Sequence, residues 1–244
     1  MVGLIALFSL VALANMLGCK GGSKISNKSD SATAAETGVE KVKPAPGTGN
    51  VQGKVLFNSK PAENIEVKLC ETFSQYLSGC GGRTYTARTD KDGEYVITNV
   101  EPKTYEALTA RVFDTDSYIF ATTGLAGISA AKYDVVDGKT FFVQPIHLFK
   151  GDLKTTNPKA GSKVSADGLE LKWEAYPDAA YYKFSTYADD ASVTSPYINE
   201  RVEGTNFSVS KPMPKGTYRF QVTAYNKDDR KLSESSSDVK FTVQ

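Results

Sequence analysis

Histidine occurs once in this 244-residue sequence, at position 147, and cysteine three times, at 19, 70 and 80. One imidazole with no second in the chain excludes a multi-histidine metal centre and leaves acid–base catalysis by a histidine pair without its parts. His147 lies between Ile146 and Leu148 and reads as one position on a strand. No Gly-x-Ser-x-Gly elbow occurs, so the common arrangement for an activated serine is missing. Neither sign of charge dominates, with 29 Lys and Arg against 28 Asp and Glu. Without a basic excess there is no electrostatic footprint for nucleic acid, and without an acidic block there is no solvating tail. No Arg-Gly-Asp triplet is present. The one long apolar run, Val2 to Leu17, is shorter than the roughly 20 residues a membrane-crossing helix needs.

That run is followed by Gly18, Cys19 and Lys20. A short apolar stretch ending in a small residue is the pattern of a cleaved export signal. With cysteine next, it resembles the lipobox of bacterial lipoproteins, in which the signal is cut just before a cysteine that is then acylated. Two features depart from that pattern: Met16 stands where the family usually has Leu, and no Lys or Arg precedes the run. The alternatives are an ordinary cleaved signal or an uncleaved anchor, with Cys19 incidental. The resemblance implies a signal peptide over 1–18, lipidation of Cys19 and attachment to a membrane through the lipid. Two or more acyl chains on one cysteine hold stably, at about 0.8 kcal/mol per buried methylene, so the folded part needs no membrane-binding surface. Lys20, rather than Asp, resembles lipoproteins sorted to the outer membrane or cell surface.

Residues 19–50 hold Ser, Thr, Ala, Gly, Lys and Glu with few large apolar side chains, too little to offset the entropy of ordering, and read as a disordered linker. From Val51 the pattern has period two. Val51, Gly53, Val55 and Phe57 alternate with Gln52, Lys54 and Leu56, and Ile65, Val67 and Leu69 with Glu66 and Lys68, the signature of half-buried strands. Further strands are expected over Thr84–Thr89, Tyr118–Ala121, Tyr133–Val136 and Thr140–Phe149, the last two joined in a hairpin through Asp137 and Gly138. Asp152 to Ala160 reads as a link. Beyond it Leu169, Leu171 and Trp173 alternate, as do Tyr182, Phe184 and Thr186. The expected fold is all-β, with two β-sandwich domains in tandem.

Cys70 and Cys80 remain after the leader. An exported chain meets an oxidising compartment, where two thiols ten residues apart are expected to pair and pin a loop over Cys70–Gly82. Closing such a loop stabilises by about 2.5 to 3 kcal/mol in the chain-entropy account. Two unpaired thiols are the alternative.

Gly53, Pro61, Val67, Thr89, Asp90, Asp92, Gly93, Tyr95, Ile97, Val100, Pro102 and Tyr105 together resemble the transthyretin-like sandwich called the carboxypeptidase regulatory-like domain, over 51–150. Asn64 and Lys103 stand where that family often has glycine. That domain is an appendage, so the resemblance implies no peptidase activity. Related B-type repeats of surface adhesins can close a Lys–Asn isopeptide bond, but Phe141–Phe149 offers no Asn. Pro214, Gly216, Thr217, Tyr218, Phe220, Val222, Ala224 and Asn226 resemble a fibronectin type III domain, over 155–244. That resemblance implies Trp173 in the core and Tyr218 as a corner tyrosine bonded to nearby backbone.

Three groups of residues invite chemistry. Asp90, Asp92 and Gly93 have the spacing that opens many calcium loops, but lack the distal bidentate Glu; a hairpin turn accounts for the same residues. Asp189 with Asp190, and Asp228 with Asp229, are carboxylate neighbours in expected loops, the minimum for a carboxylate-dependent hydrolase. Tyr187 and Tyr197, among several tyrosines in the second half, are candidates for stacking on a glycan or anchoring a protein partner. The expected role is non-catalytic, without a cofactor: binding or scaffolding at the cell envelope, or as the alternative a carbohydrate-binding accessory of a secreted degradative system.

Overall fold

The structure is a computed structural model and describes residues 38–75, 79–123, 129–189, 198–235 and 238–244. All regular elements among them are strands, as the period-two patterning expects. The first thirteen are β1 (Gly49–Phe57), β2 (Lys60–Pro61), β3 (Glu66–Ser74), β4 (Gly79–Arg88), β5 (Glu94–Val100), β6 (Thr104–Tyr105), β7 (Ala107–Arg111), β8 (Tyr118–Phe120), β9 (Thr122–Thr123), β10 (Ser129–Ala130), β11 (Tyr133–Asp134), β12 (Thr140–Phe142) and β13 (Ile146–Leu148). β1 is central to one sheet, antiparallel to β5 and parallel to β12 and then β13. The facing sheet runs β4-β3-β7-β8, antiparallel throughout. Val51, Val55, Val67, Leu69, Tyr95, Ile97, Leu108 and Tyr133 fill the space between them.

The remaining strands are β14 (Lys150–Leu153), β15 (Thr155–Asn157), β16 (Lys163–Val164), β17 (Glu170–Trp173), β18 (Tyr181–Ala188), β19 (Ile198–Val202), β20 (Asn206–Ser208), β21 (Gly216–Tyr225), β22 (Lys231–Ser235) and β23 (Val239–Val243). A three-stranded sheet, β15-β17-β20, faces a larger one in which β19, β18, β21 and β22 are neighbours in that order, with β23 also on β21. The second core gathers Leu171, Trp173, Tyr182, Phe184, Tyr218, Phe220, Val222 and Phe241. Tyr218 is fully buried, and its hydroxyl donates to the Pro214 carbonyl at 2.7 Å, the corner contact expected of it.

Four boundaries differ from the sequence reading. The linker expected through Asn50 ends earlier: the Gln52 amide accepts from Lys41 N–H and donates to the Val39 carbonyl, and Asn50 donates to the Val42 carbonyl. These amides give the incoming backbone the partners a neighbouring strand would supply. The loop expected over Cys70–Gly82 is mostly strand, because β3 and β4 pair from Glu66↔Arg88 to Ser74↔Gly79. Gly138 does turn the chain, with φ 67°, but the segments it joins do not pair with each other: β11 pairs β6, and β12 pairs β1. The link expected over Asp152–Ala160 holds the second half of β14 and all of β15. β14 runs parallel to β22, where Ser233 Oγ takes Asp152 N–H and Leu153 N–H and donates to the Lys150 carbonyl.

Asn58 and Ser59 both have positive φ, 50° and 61°, the conformation of a two-residue hairpin turn between β1 and β2. Asn64 also has positive φ, 60°, a conformation that asparagine adopts more readily than other residues with a side chain.

Candidate functional site

Cys70 and Cys80 form a disulfide with Cα atoms 5.2 Å apart. They are not opposite each other in the ladder: Cys70 pairs Thr84, and Cys80 pairs Phe73. Between those pairs Glu71 alone on β3 stands against Gly82 and Arg83 on β4, so β4 carries the extra residue of a bulge, with Gly82 at φ 66°, of the kind that bends a strand. The Glu71 carboxylate is held there, accepting from Arg83 N–H at 2.7 Å and from Lys103 Nζ at 2.8 Å. Lys103 first and the Arg83 amide second hold its pKa below the usual glutamate value.

The bend brings Phe73, Gly79 and Cys80 over the sheet's outer face. That face is set by alternation: Val67, Leu69, Ala110 and Ile119 pack on the core, so Glu66, Lys68, Thr109, Arg111, Tyr118 and Phe120 point away from it. Arg111 is opposite Tyr118, and Thr109 opposite Phe120. In a flat sheet Phe73 would sit about seven residues, or roughly 23 Å, along the strand direction from the row of Tyr118. Its ring centroid instead lies 6.1 Å from that of Tyr118 and 4.8 Å from that of Phe120. The Phe73 N–H donates to Glu106 Oε2 at 2.8 Å, fixing the fold-back from below.

A groove of about 340 Å3 results, lined by Glu66, Lys68, Gly79, Cys80, Thr109, Arg111, Asp116 and Tyr118. Gly79 forms its wall with φ 65°, and a Cβ there would meet Tyr118 Oη at 3.3 Å. Arg111 donates from Nε to the Thr115 carbonyl at 2.6 Å and from Nη2 to Asp116 at 3.4 Å, which leaves N–H groups for a ligand. The Asp116 side chain is fully exposed, and Tyr118 is 39 % exposed. From the sequence alone Tyr118 is one residue of an expected strand. The available signal was its spacing from Phe120, which puts both rings on the face opposite Ile119.

Cys19 and Tyr197, the lipidation and second tyrosine candidates, lie outside the described residues, as does Asp190. At the turn read over Asp90, Asp92 and Gly93, Asp90 Oδ1 accepts from the N–H groups of Asp92 and Glu94, each at 2.9 Å, and Oδ2 faces Lys41 Nζ at 3.2 Å. Gly93 follows with φ 72°. The carboxylate therefore closes a turn, and its oxygens are directed at donors. The Glu94 amide first, helped by Lys41 and the Asp92 amide, lowers its pKa. No group of three or more His, Cys, Asp or Glu side chains among the described residues is arranged to hold a metal ion.

Tyr187 is not presented as a free ring. Its hydroxyl donates to Asp238 Oδ2 at 2.9 Å, and this bond, ahead of burial, raises its pKa. Asp238 also faces Arg219, which pairs with Asp189, as does Lys240. Asp189 is thus held ionised by Lys240 first and Arg219 second, and Asp229 accepts from the Tyr181 hydroxyl at 2.8 Å.

No family model matches the sequence, and no curated protein does. Among solved structures the chain is similar to the fibronectin(III)-like modules of CbhA from Clostridium thermocellum, at 16% identity and TM-score 0.29, covering 37% of this chain and 93% of that one. It is similar also to the full-length major pilin SpaD from Corynebacterium diphtheriae, at 12% identity and TM-score 0.27, covering 81% of this chain and 64% of that one. A third is the FN1-FN3 region of chicken CNTN1, at 11% identity and TM-score 0.28, with 82% of this chain and 69% of that one covered.

Proposed function

We propose that this chain is a non-catalytic, lipid-tethered component of a bacterial cell envelope, in which a carboxypeptidase regulatory-like and a fibronectin type III-like sandwich act together as a short, stiff binding or scaffolding arm. The observation that carries this reading is the junction. β13 ends at Leu148 and β14 begins at Lys150, so Phe149 alone separates a strand of the first core from a strand of the second. Lys231 Nζ, from the second, lies 3.7 Å from the Phe149 ring centroid. Asn58 of the first donates to Asp178 and accepts from Asn226 of the second, each at 2.8 Å. Lys150 Nζ sits 5.4 Å from the ring centroid of Phe57 and 5.0 Å from that of Phe113. A one-residue connection with bonds on both sides suits holding something at a set distance from a surface.

Carboxylates engaged by cations and a tyrosine, as at Asp189 and Asp229, favour structure over hydrolysis. The tether rests on Gly18-Cys19-Lys20. Labelling cells with radioactive palmitate tests it: the full-length chain takes up label and stays with membranes, whereas Cys19→Ala takes up none and moves to the soluble fraction. An unlabelled, released wild-type protein overturns the reading.

A further inference from the structure

We propose that the groove beneath the folded-back β3-β4 hairpin binds an uncharged sugar unit of a polysaccharide, with Tyr118 as the stacking surface. The proposal gives a ligand class to the binding role above and rests on that role, though not on the lipid. Four observations lead to it. The groove's volume of about 340 Å3 falls within the range of small-ligand sites, roughly 300 to 1,000 Å3. Its charged lining is balanced, with Lys68 and Arg111 against Glu66 and Asp116, so an anionic or cationic ligand would meet as much repulsion as attraction. A sugar hydroxyl both donates and accepts, and here donors and acceptors alternate: Glu66 lies beside Lys68 at 3.7 Å, and Arg111 beside Asp116 at 3.4 Å. One wall is an aromatic ring whose position is set by edge contact with Phe73, a rigid surface that costs little entropy on binding.

The site is built rather than incidental. The bulge opposite Glu71, the Cys70–Cys80 bond and Gly79 with its positive φ all fall where β3 and β4 turn over Arg111 and Tyr118. Bulges commonly re-aim side chains beside functional sites. Thr109 Oγ1 donates to the Lys68 carbonyl and can still accept from a ligand hydroxyl.

The full-length protein, held in detergent, is screened against immobilised neutral oligosaccharides (cello-, xylo-, manno- and chito-hexaose) and the best binder is titrated calorimetrically. Heparin and a peptide library serve as competitors. Tyr118→Ala is expected to weaken binding about tenfold or more, as hot-spot aromatics do. Asp116→Asn, at a fully exposed side chain whose change leaves folding alone, is expected to weaken it several-fold. Tyr187→Ala leaves it unchanged. No binding to any neutral oligosaccharide overturns the proposal, as does undiminished binding by Tyr118→Ala with native circular dichroism. Competition by heparin or a peptide for the same residues also overturns it, since it assigns the groove to another ligand class. Failure here leaves palmitate labelling at Cys19 untouched, and failure of labelling leaves these titrations untouched.

Discussion

The two sandwiches treat the outer faces of their main sheets differently. In the second, side chains cover the face and satisfy one another. Tyr181 and Tyr225 stack with centroids 5.0 Å apart, the Arg201 guanidinium lies 3.6 Å from the Tyr181 centroid, and Lys183 lies 5.2 Å from that of Tyr225. Further along the same strands, Tyr187, Asp189, Arg219, Asp238 and Lys240 form one ladder. Tyr181 is only 3 % exposed although it faces away from the core. In the first sandwich Phe73, Gly79 and Cys80 of the bent β3 and β4 do the covering, and a groove remains between them and Arg111 and Tyr118. A face closed by mutually paired side chains has few groups left for a ligand; a face roofed by a bent hairpin keeps them.

The largest effect that separates the two comes from their cores. Phe220→Ala removes a fully buried ring from the second core and is expected to cost about 3 to 5 kcal/mol, against about 2 to 5 for Leu69→Ala in the first. Denaturant titration checks both. If the junction couples the sandwiches, each variant shifts one shared transition. Two separated transitions, of which only one moves, would show the arm to be jointed.

Removing the disulfide comes next. Cys70→Ser with Cys80→Ser is expected to lose about 2.5 to 3 kcal/mol, and hydrogen exchange is expected to rise in β3 and β4 and not in β18 or β21. Equal loosening of both sandwiches would contradict the local role given to the bridge. Tyr218→Phe is the smaller counterpart in the second sandwich. It removes the hydroxyl that bonds the Pro214 carbonyl and keeps the ring, so about 0.5 to 1.5 kcal/mol is expected, read from the same titration.

Alternation made the all-β class and both core faces legible, because period two states which side of a strand is apolar without saying what it pairs with. Where pairing decides, the sequence was silent. Lys150-Gly151-Asp152-Leu153 has no apolar rhythm, and it is a strand because Ser233 and the β22 edge supply its partners. The bulge opposite Glu71 is a mismatch between two strands and exists in neither alone. The glycines at 79, 81 and 82 around Cys80 marked an irregular backbone but not its direction. Tyrosine content pointed to the second half, where Tyr181 and Tyr187 turn out to be occupied with Asp229 and Asp238.

The smallest effect concerns pH and ties the two regions together. Burial first, and the Arg230 charge of the second sandwich next, lower the pKa of His147 in the first. A base whose folded pKa lies below its unfolded value of about 6.5 takes up protons more readily when unfolded. Its contribution to stability is therefore fully present above about pH 6.5 and declines as pH falls through the folded pKa. Asp90, Asp189 and Glu71 have lowered carboxylate pKa values, so their contributions are present above about pH 4 and are lost only below it. Between pH 7.5 and 5.5 the decline thus belongs to His147, and His147→Gln is expected to flatten it. Arg230→Gln removes one of the two causes while leaving burial in place. The imidazole resonance, followed by nuclear magnetic resonance, is then expected to titrate at higher pH, toward the ordinary value. An unmoved midpoint would mean that Arg230 does not stay near His147 in solution, and the one-residue junction would lose its claim to hold the sandwiches in register.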